Sequence, residues 1–70
     1  MIMKLKYDKE IDAAYIYLED KIKEGSIKET IALNEDIILD IDNTKKIVGI
    51  EILNASKHLN KKILVEKIIA

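Results

Sequence analysis

The chain has 70 residues, of which 49% are hydrophobic and 36% charged, with no cysteine, one histidine and a formal net charge of −1. Without cysteine it can form no disulfide, no thiolate nucleophile and no cysteine-ligated metal site. Residues 1–70 form at most one domain. Because the burial available to so short a chain barely exceeds the entropy cost of ordering it, we expect self-association.

Charge is unevenly distributed along the sequence. Residues 1–42 hold six Lys against eleven Asp and Glu, whereas residues 43–70 hold six Lys against Glu51 and Glu66. All cations are Lys, so the bidentate contacts by which Arg recognises phosphate or guanine are missing. No apolar run approaches the roughly 20 residues of a membrane span, and the start of the chain lacks a signal-peptide core. We therefore expect a cytoplasmic protein.

Apolar and polar residues alternate with a period of two up to residue 53, which predicts half-buried strands. The strands are expected at about 2–7, 13–18, 27–33, 37–42 and 47–53. Their common apolar face is expected to include Leu5, Ile16, Ile31, Leu39 and Ile50. The predicted fold is α+β, a four-stranded antiparallel β-meander with a C-terminal helix packed on one face.

The helix is expected from about residue 55. Ala55, Leu59 and Ile63 recur at helical spacing, and Asn54 or Ser56 can cap the first turn. Residues 63–70 are apolar on several faces, so the same helix running on and a short extra strand remain alternatives.

Loop lengths predict the strand registers. A four-residue loop over residues 43–46 pairs positions that add up to 89, such as Ile41 with Val48. A turn over residues 34–36 places Ile31 opposite Leu39. In the first hairpin, a four-residue loop over residues 9–12 gives one consistent core face, whereas a five-residue loop would oppose Leu5 to Tyr15.

The order of these features resembles a small bacterial and archaeal family catalogued as domain of unknown function 2283. The most specific parts are Asp12-x-x-Tyr15 and the run from Val48 to Leu53, and the resemblance extends to Leu59. The family-motif positions are Tyr7, Asp8, Asp12, Tyr15, Gly49 and Glu51. The resemblance implies a β-rich module without established catalytic residues. Since relatives are often encoded beside small toxin-like proteins of the ribonuclease-interferase type, it suggests an antitoxin-like role.

Three acidic residues, Asp40, Asp42 and Glu51, are expected on the outer side of the sheet. Their spacing matches positions 1, 3 and 12 of a calcium-binding loop, but Lys45 stands where that loop needs Gly, and strands replace its flanking helices. We interpret them as acids that keep the sheet soluble. The alternative is a weak divalent-metal site serving a metal-dependent enzyme.

Two further residues invite chemical interpretations. His58 is the single histidine, but no nucleophile at a recognisable spacing accompanies it, and Ser56 would point elsewhere. We therefore interpret His58 as a surface helix residue. Gly49 has no partner glycines for a phosphate cradle and is expected to allow close packing over Asp40 or a strand bend. Neither a cofactor nor a catalytic residue is predicted.

Tyr15 and Tyr17 are the most informative pair. Both are expected on the face away from the helix, near Lys4 and Lys6, with Ile38 and Ile47 adding apolar area. Tyr is enriched in protein interfaces, although it also simply suits a strand and covers Lys stems. Nucleic-acid stacking is disfavoured by the acids on the same face.

The sequence thus predicts a non-catalytic protein-binding module, antitoxin-like or regulatory. It would act through the outer sheet face or an open edge, as a homodimer or with a small toxin-like protein. A nucleic-acid adaptor that uses the Lys-rich C-terminal segment is a further alternative.

Overall fold

The structure, a computed structural model, describes residues 3–19, 22 and 25–64, which form five strands and one short helix. The strands are β1 (Lys4–Asp8), β2 (Ala13–Tyr17), β3 (Ile27–Ala32), β4 (Ile37–Asp42) and β5 (Ile47–Leu53), and α1 (Ala55–His58) follows them. They form one antiparallel sheet in the order β1-β2-β5-β4-β3.

The prediction of a four-stranded meander is wrong, because all five segments are strands of the same sheet. Only β3, β4 and β5 form a meander, and the β1–β2 hairpin adds to the free edge of β5. The alignment of apolar residues explains this addition, since Ala14 lies opposite Ile52 and Ile16 opposite Ile50. Alternation within a hairpin identifies its apolar face but not the strand beside it.

Two of the predicted registers are confirmed. In the first hairpin Leu5 pairs with Ile16, as the four-residue loop requires, so the five-residue alternative is wrong. Ile31 pairs with Leu39 in the β3–β4 hairpin. In both cases the turn length and the apolar alternation agree, which leaves a single register that keeps one face apolar.

The register between β4 and β5 is confirmed at Leu39 and Ile50 but shifts near the loop. Ile41 lies opposite Ile47, not Val48, so the predicted Ile41–Val48 pair is wrong. The loop closes one residue earlier than predicted, because the Asp42 N–H donates to the Lys46 carbonyl at 2.9 Å and Lys45 adopts a left-handed conformation with φ of 70°. β5 therefore carries one extra residue, a β-bulge.

The core lies between the sheet and residues 54–64. Its buried apolar side chains are Leu5, Ala14, Ile41, Val48, Ile52 and Ala55. Leu59 and Leu64 pack on the cluster of Ala14, Ile52 and Ala55. The predicted core residue Ile31 is instead 39% exposed, and no residue of β3 is buried. The described covering segment lies over β2 and β5, so β3 at the edge stays outside the core.

The helix is much shorter than predicted. α1 ends at His58, and Leu59 is extended, with φ of −117° and ψ of 145°. The Asn60 side chain accepts the Lys62 N–H at 2.9 Å, a local turn that competes with helix formation. The predicted stripe through Ile63 is therefore wrong. Of residues 63–70, for which helix and strand are alternatives, Ile63 and Leu64 donate their N–H groups to the Asn60 and Lys61 carbonyls in a turn. Residue 2 and residues 65–70 lie outside the described residues. No helix in the described part is long and apolar enough to cross a membrane.

Candidate functional site

The sheet face opposite residues 54–64 brings most of the predicted interface residues together, and we call it the outer face. Cross-strand pairing aligns two rows of side chains on it. One row is Lys6, Tyr15, Glu51, Ile38 and Ala32, and the other is Lys4, Tyr17, Gly49, Asp40 and Thr30. Tyr15 and Tyr17 are neighbours, Ile38 lies in the same row as Tyr15 on the far side of Glu51, and all three are half-buried. Ile47 lies apart, at the far end of β5, and is 44% exposed.

Tyr15 lies flat across the outer face because Gly49 has no side chain. A Cβ on Gly49 would overlap the Tyr15 hydroxyl. From this position the Tyr15 hydroxyl donates a hydrogen bond to Asp40 Oδ2 at 2.6 Å. The other oxygen, Asp40 Oδ1, accepts from Thr30 Oγ1 at 3.1 Å. Close packing at Gly49 was predicted, but the residue that packs there is Tyr15.

The environment of Tyr15 alters its acidity. Burial of the phenol, followed by its hydrogen bond to Asp40 and the charge of that carboxylate, raises the pKa of Tyr15 well above its ordinary value. Tyr15 therefore stays protonated and donates to Asp40 at neutral pH. The result is a fixed side-chain bridge between β2 and β4.

Tyr17 packs against the ring of Tyr15. The two tyrosine rings meet edge to face, with centroids 4.7 Å apart and an interplanar angle of 69°. Lys4 Nζ lies 5.9 Å from the centre of the Tyr17 ring, a cation–π arrangement. No hydrogen bond joins the Tyr17 hydroxyl to another residue within the described ranges. Tyr17 is thus held by its ring contacts with Tyr15 and Lys4.

Of the three acidic residues in the metal-site alternative, Asp40 and Asp42 accept separate sets of hydrogen bonds. Asp40 is occupied by Tyr15 and Thr30. Asp42 Oδ1 accepts from Thr44 Oγ1 at 2.7 Å and from the Lys46 N–H at 3.1 Å. The Thr44 hydroxyl and the Lys46 N–H lower the pKa of Asp42. Among the described residues, no three His, Asp or Glu side chains are grouped so that they could hold a metal ion.

An open cleft of ≈ 540 Å³ borders the outer face at the β1–β2 hairpin. It is lined by Lys6, Tyr7, Asp8, Lys9, Glu10, Ala13, Ala14, Tyr15 and Glu51. Charges of both signs alternate around it. The cleft therefore extends the outer face and does not select a small ligand of one charge.

Asp12, in the β1–β2 turn, accepts hydrogen bonds from the first turn of α1. The sequence predicted instead that Asn54 or Ser56 would cap this turn. Asp12 Oδ1 accepts from the Ser56 N–H at 3.0 Å and from the Tyr7 hydroxyl at 2.7 Å. Asp12 Oδ2 accepts from Ser56 Oγ at 2.7 Å. The hydrogen bonds from Ser56 and Tyr7 lower the pKa of Asp12. Motif positions Tyr7 and Asp12 therefore stabilise the fold.

His58 has a partner that sequence reasoning missed. Its Nε2 lies 2.8 Å from Asp36 Oδ2, and the exposed side-chain fractions are 29% for His58 and 13% for Asp36. Asn54 Nδ2 donates to Asp36 Oδ1 at 3.0 Å. The hydrogen bonds from His58 and Asn54 lower the pKa of Asp36. Ser56 donates to Asp12, and no hydroxyl among the described residues binds His58. The His58–Asp36 pair joins α1 to the β3–β4 turn.

Comparisons with known proteins agree with the sequence resemblance. The model of the family described as "Protein of unknown function (DUF2283)" matches residues 4–56. An uncharacterized protein of Methanocaldococcus jannaschii is 46% identical over 61 residues, which are 86% of this chain and 47% of that protein. The chain thus spans about half the length of the curated relative it matches. No solved structure matches. The matched residues include all five strands, the Tyr15–Asp40 bridge and the Asp12–Ser56 contact.

Proposed function

Since the chain belongs to the family described as protein of unknown function (DUF2283), its role has to be argued from its own surface, and we propose a small non-catalytic protein-binding module. The outer face would be its binding surface, in an antitoxin-like or regulatory role. The observation that carries this proposal is the fixed pair of half-buried tyrosines on a sheet face that no described residue packs over.

A fixed aromatic pair favours binding because little conformational entropy is left to lose. Tyr15 is anchored to Asp40, and its ring holds Tyr17 in place before any partner arrives. Aromatic residues that are rigid in the free protein are common centres of binding energy in interfaces. Tyr17, with its ring supported and its hydroxyl unclaimed by the described residues, is the expected centre, and Tyr15 positions it.

Charge indicates the kind of partner. Lys4 and Lys6 lie at one side of the outer face, on β1, whereas the other side, on β5 and β4, is acidic and carries Glu51, Asp40 and Asp42. A basic protein surface would complement this side. Proteins that bind RNA carry such basic surfaces. A small toxin-like protein of the ribonuclease type is therefore the partner we propose.

The test is co-expression of the chain with the product of an adjacent reading frame, followed by measurement of their affinity. Tyr17→Ala should weaken binding about tenfold or more, as for a central interface residue. Lys61→Ala, an exposed change outside the outer face, is the matched control and should bind normally. Both variants must keep the wild-type unfolding temperature.

Salt provides a second measurement. The affinity should fall as ionic strength rises, because screening weakens the attraction between the acidic side of the outer face and a basic partner. Equal affinity of wild type, Tyr17→Ala and Tyr17→Glu would refute the outer face as the binding surface. A partner that binds with no salt dependence would refute the basic-surface assignment.

A further inference from the structure

Among the described residues, none pairs with the outer edge of β3, which can therefore accept another strand. Within the described ranges β3 has a single strand neighbour, β4. Ile31 is 39% exposed and Leu33 is 61% exposed, although both belong to the apolar side of the alternation. The opposite edge, β1, carries Lys4 and Lys6, and charged residues on an edge strand discourage strand addition. The part of β3 that follows Glu29 has no charge.

The direction of the β3 backbone groups follows from its pairing with β4. The Leu33 N–H donates to the Ile37 carbonyl at 2.8 Å, and Ile31 pairs with Leu39 in the same register. In an antiparallel ladder, residues that bond to one neighbour alternate with residues whose N–H and C=O point the other way. Thr30 and Ala32 therefore direct their backbone groups out of the sheet.

We propose that β3 pairs antiparallel with β3 of a second copy of the chain, about a two-fold axis at Ile31. In this register Thr30 of each copy lies opposite Ala32 of the other. Each of these two pairs exchanges two N–H···O bonds, so about four backbone hydrogen bonds form. An axis at Thr30 would need Lys28, the extra residue in the β3 bulge. An axis at Ala32 would need Asn34, whose side chain accepts the Asp36 and Ile37 N–H groups in the turn.

A second copy fits this edge because the edge is complementary to itself. The same two residues act as donors and acceptors on both sides of the axis, and Ile31 meets Ile31 of the second copy. These two residues form a pair without mutual backbone hydrogen bonds, with Cα atoms about 4.5 Å apart. Both leave water, and the two sheets join into one. The pairing uses the β3 backbone, so it is independent of whether Tyr17 binds a partner.

Cysteine cross-linking tests the register, because the chain has no cysteine of its own. Ile31→Cys should form a disulfide-linked dimer under mild oxidation, since its Cα separation lies within the range of disulfides. Thr30→Cys and Ala32→Cys should cross-link at least tenfold more slowly, because each would lie roughly 8 to 9 Å from its own copy. Asn43→Cys, in an exposed loop, measures cross-linking by random collision.

Proline substitution tests the edge without cysteine. Ala32→Pro removes an outward N–H but no bond to β4, so it should convert the dimer to a monomer that keeps its sheet. Light scattering and circular dichroism measure the two properties. A wild-type chain that stays monomeric at submillimolar concentration would overturn the proposal. So would a dimer in which Ile31→Cys cross-links no faster than Asn43→Cys, a comparison that decides the question even where Ala32→Pro does not fold.

Discussion

The Tyr15–Gly49–Asp40 contact predicts a specific energetic coupling between two residues. Gly49→Ala should displace the Tyr15 hydroxyl from Asp40, at a cost of about 1–3 kcal/mol in the free energy of unfolding. In a Tyr15→Ala background the same change should cost almost nothing, because the space above residue 49 is empty and Ala suits a strand better than Gly. Urea denaturation of the double-mutant cycle measures this coupling. Equal costs in both backgrounds would contradict the contact.

The raised pKa of Tyr15 predicts a loss of stability in alkali. A phenol whose pKa is higher in the folded chain than in the unfolded chain stabilises the fold fully below its ordinary pKa, and this contribution falls above about pH 10. In Asp40→Asn the phenol should ionise at lower pH than in wild type, because the carboxylate charge is gone. Absorbance titration of the phenolates follows this change, with Tyr17→Phe removing the other outer-face tyrosine from the signal.

At the scale of elements, α1 depends on contacts from two distant turns. Asp12→Ala should lower the unfolding temperature more than Asp12→Asn, since Asn keeps an acceptor and tolerates the left-handed conformation at φ of 52°. Ser56→Ala should have a smaller effect, because the Ser56 N–H still bonds to Asp12. Thermal unfolding by circular dichroism ranks the three variants. A larger loss for Ser56→Ala than for Asp12→Ala would contradict this assignment.

Acid should weaken the hydrogen bonds by which Asp12 and Asp36 hold α1. The pKa values of Asp12 and Asp36 are lowered by hydrogen bonds in the folded chain, so each carboxylate stabilises the fold above its ordinary pKa and the contribution is lost as the pH falls below about 4. The free energy of unfolding should therefore drop between about pH 5 and pH 2. The slope should be shallower in the Asp12→Asn, Asp36→Asn double variant. An unchanged slope would mean that other groups dominate.

These elements also show where sequence reasoning succeeds and fails. The β1–β2 and β3–β4 registers could be predicted because each depends on a short loop and an adjacent apolar alternation. The position of β2 beside β5 could not, because 29 residues separate Tyr17 from Ile47 and the alternation of both strands permits several neighbours. The Asp12–Ser56 contact spans 44 residues and leaves no local signal. The outer-face residues were predicted, but not the bridge that fixes Tyr15.

For the whole molecule, hydrogen exchange should report the assembly through β3. In dilute solution the amides of Thr30 and Ala32 should exchange faster than the Ile31 amide, which bonds to β4. Raising the chain concentration should slow exchange at Thr30 and Ala32, while exposed loop amides such as that of Asn43 stay unchanged. Exchange rates independent of concentration at Thr30 and Ala32 would argue against pairing of this edge.

The central position of β5 has a consequence for synthesis of the chain. Of the five described strands, β5 is the last in sequence but the middle one in space, and β2 and β4 flank it. During translation the β1–β2 and β3–β4 hairpins can form locally. They cannot join into one sheet until residues 47–53, which form the strand between them, have left the ribosomal exit tunnel. Folding should therefore occur in one late step, and nascent chains arrested before Ile47 should remain sensitive to protease.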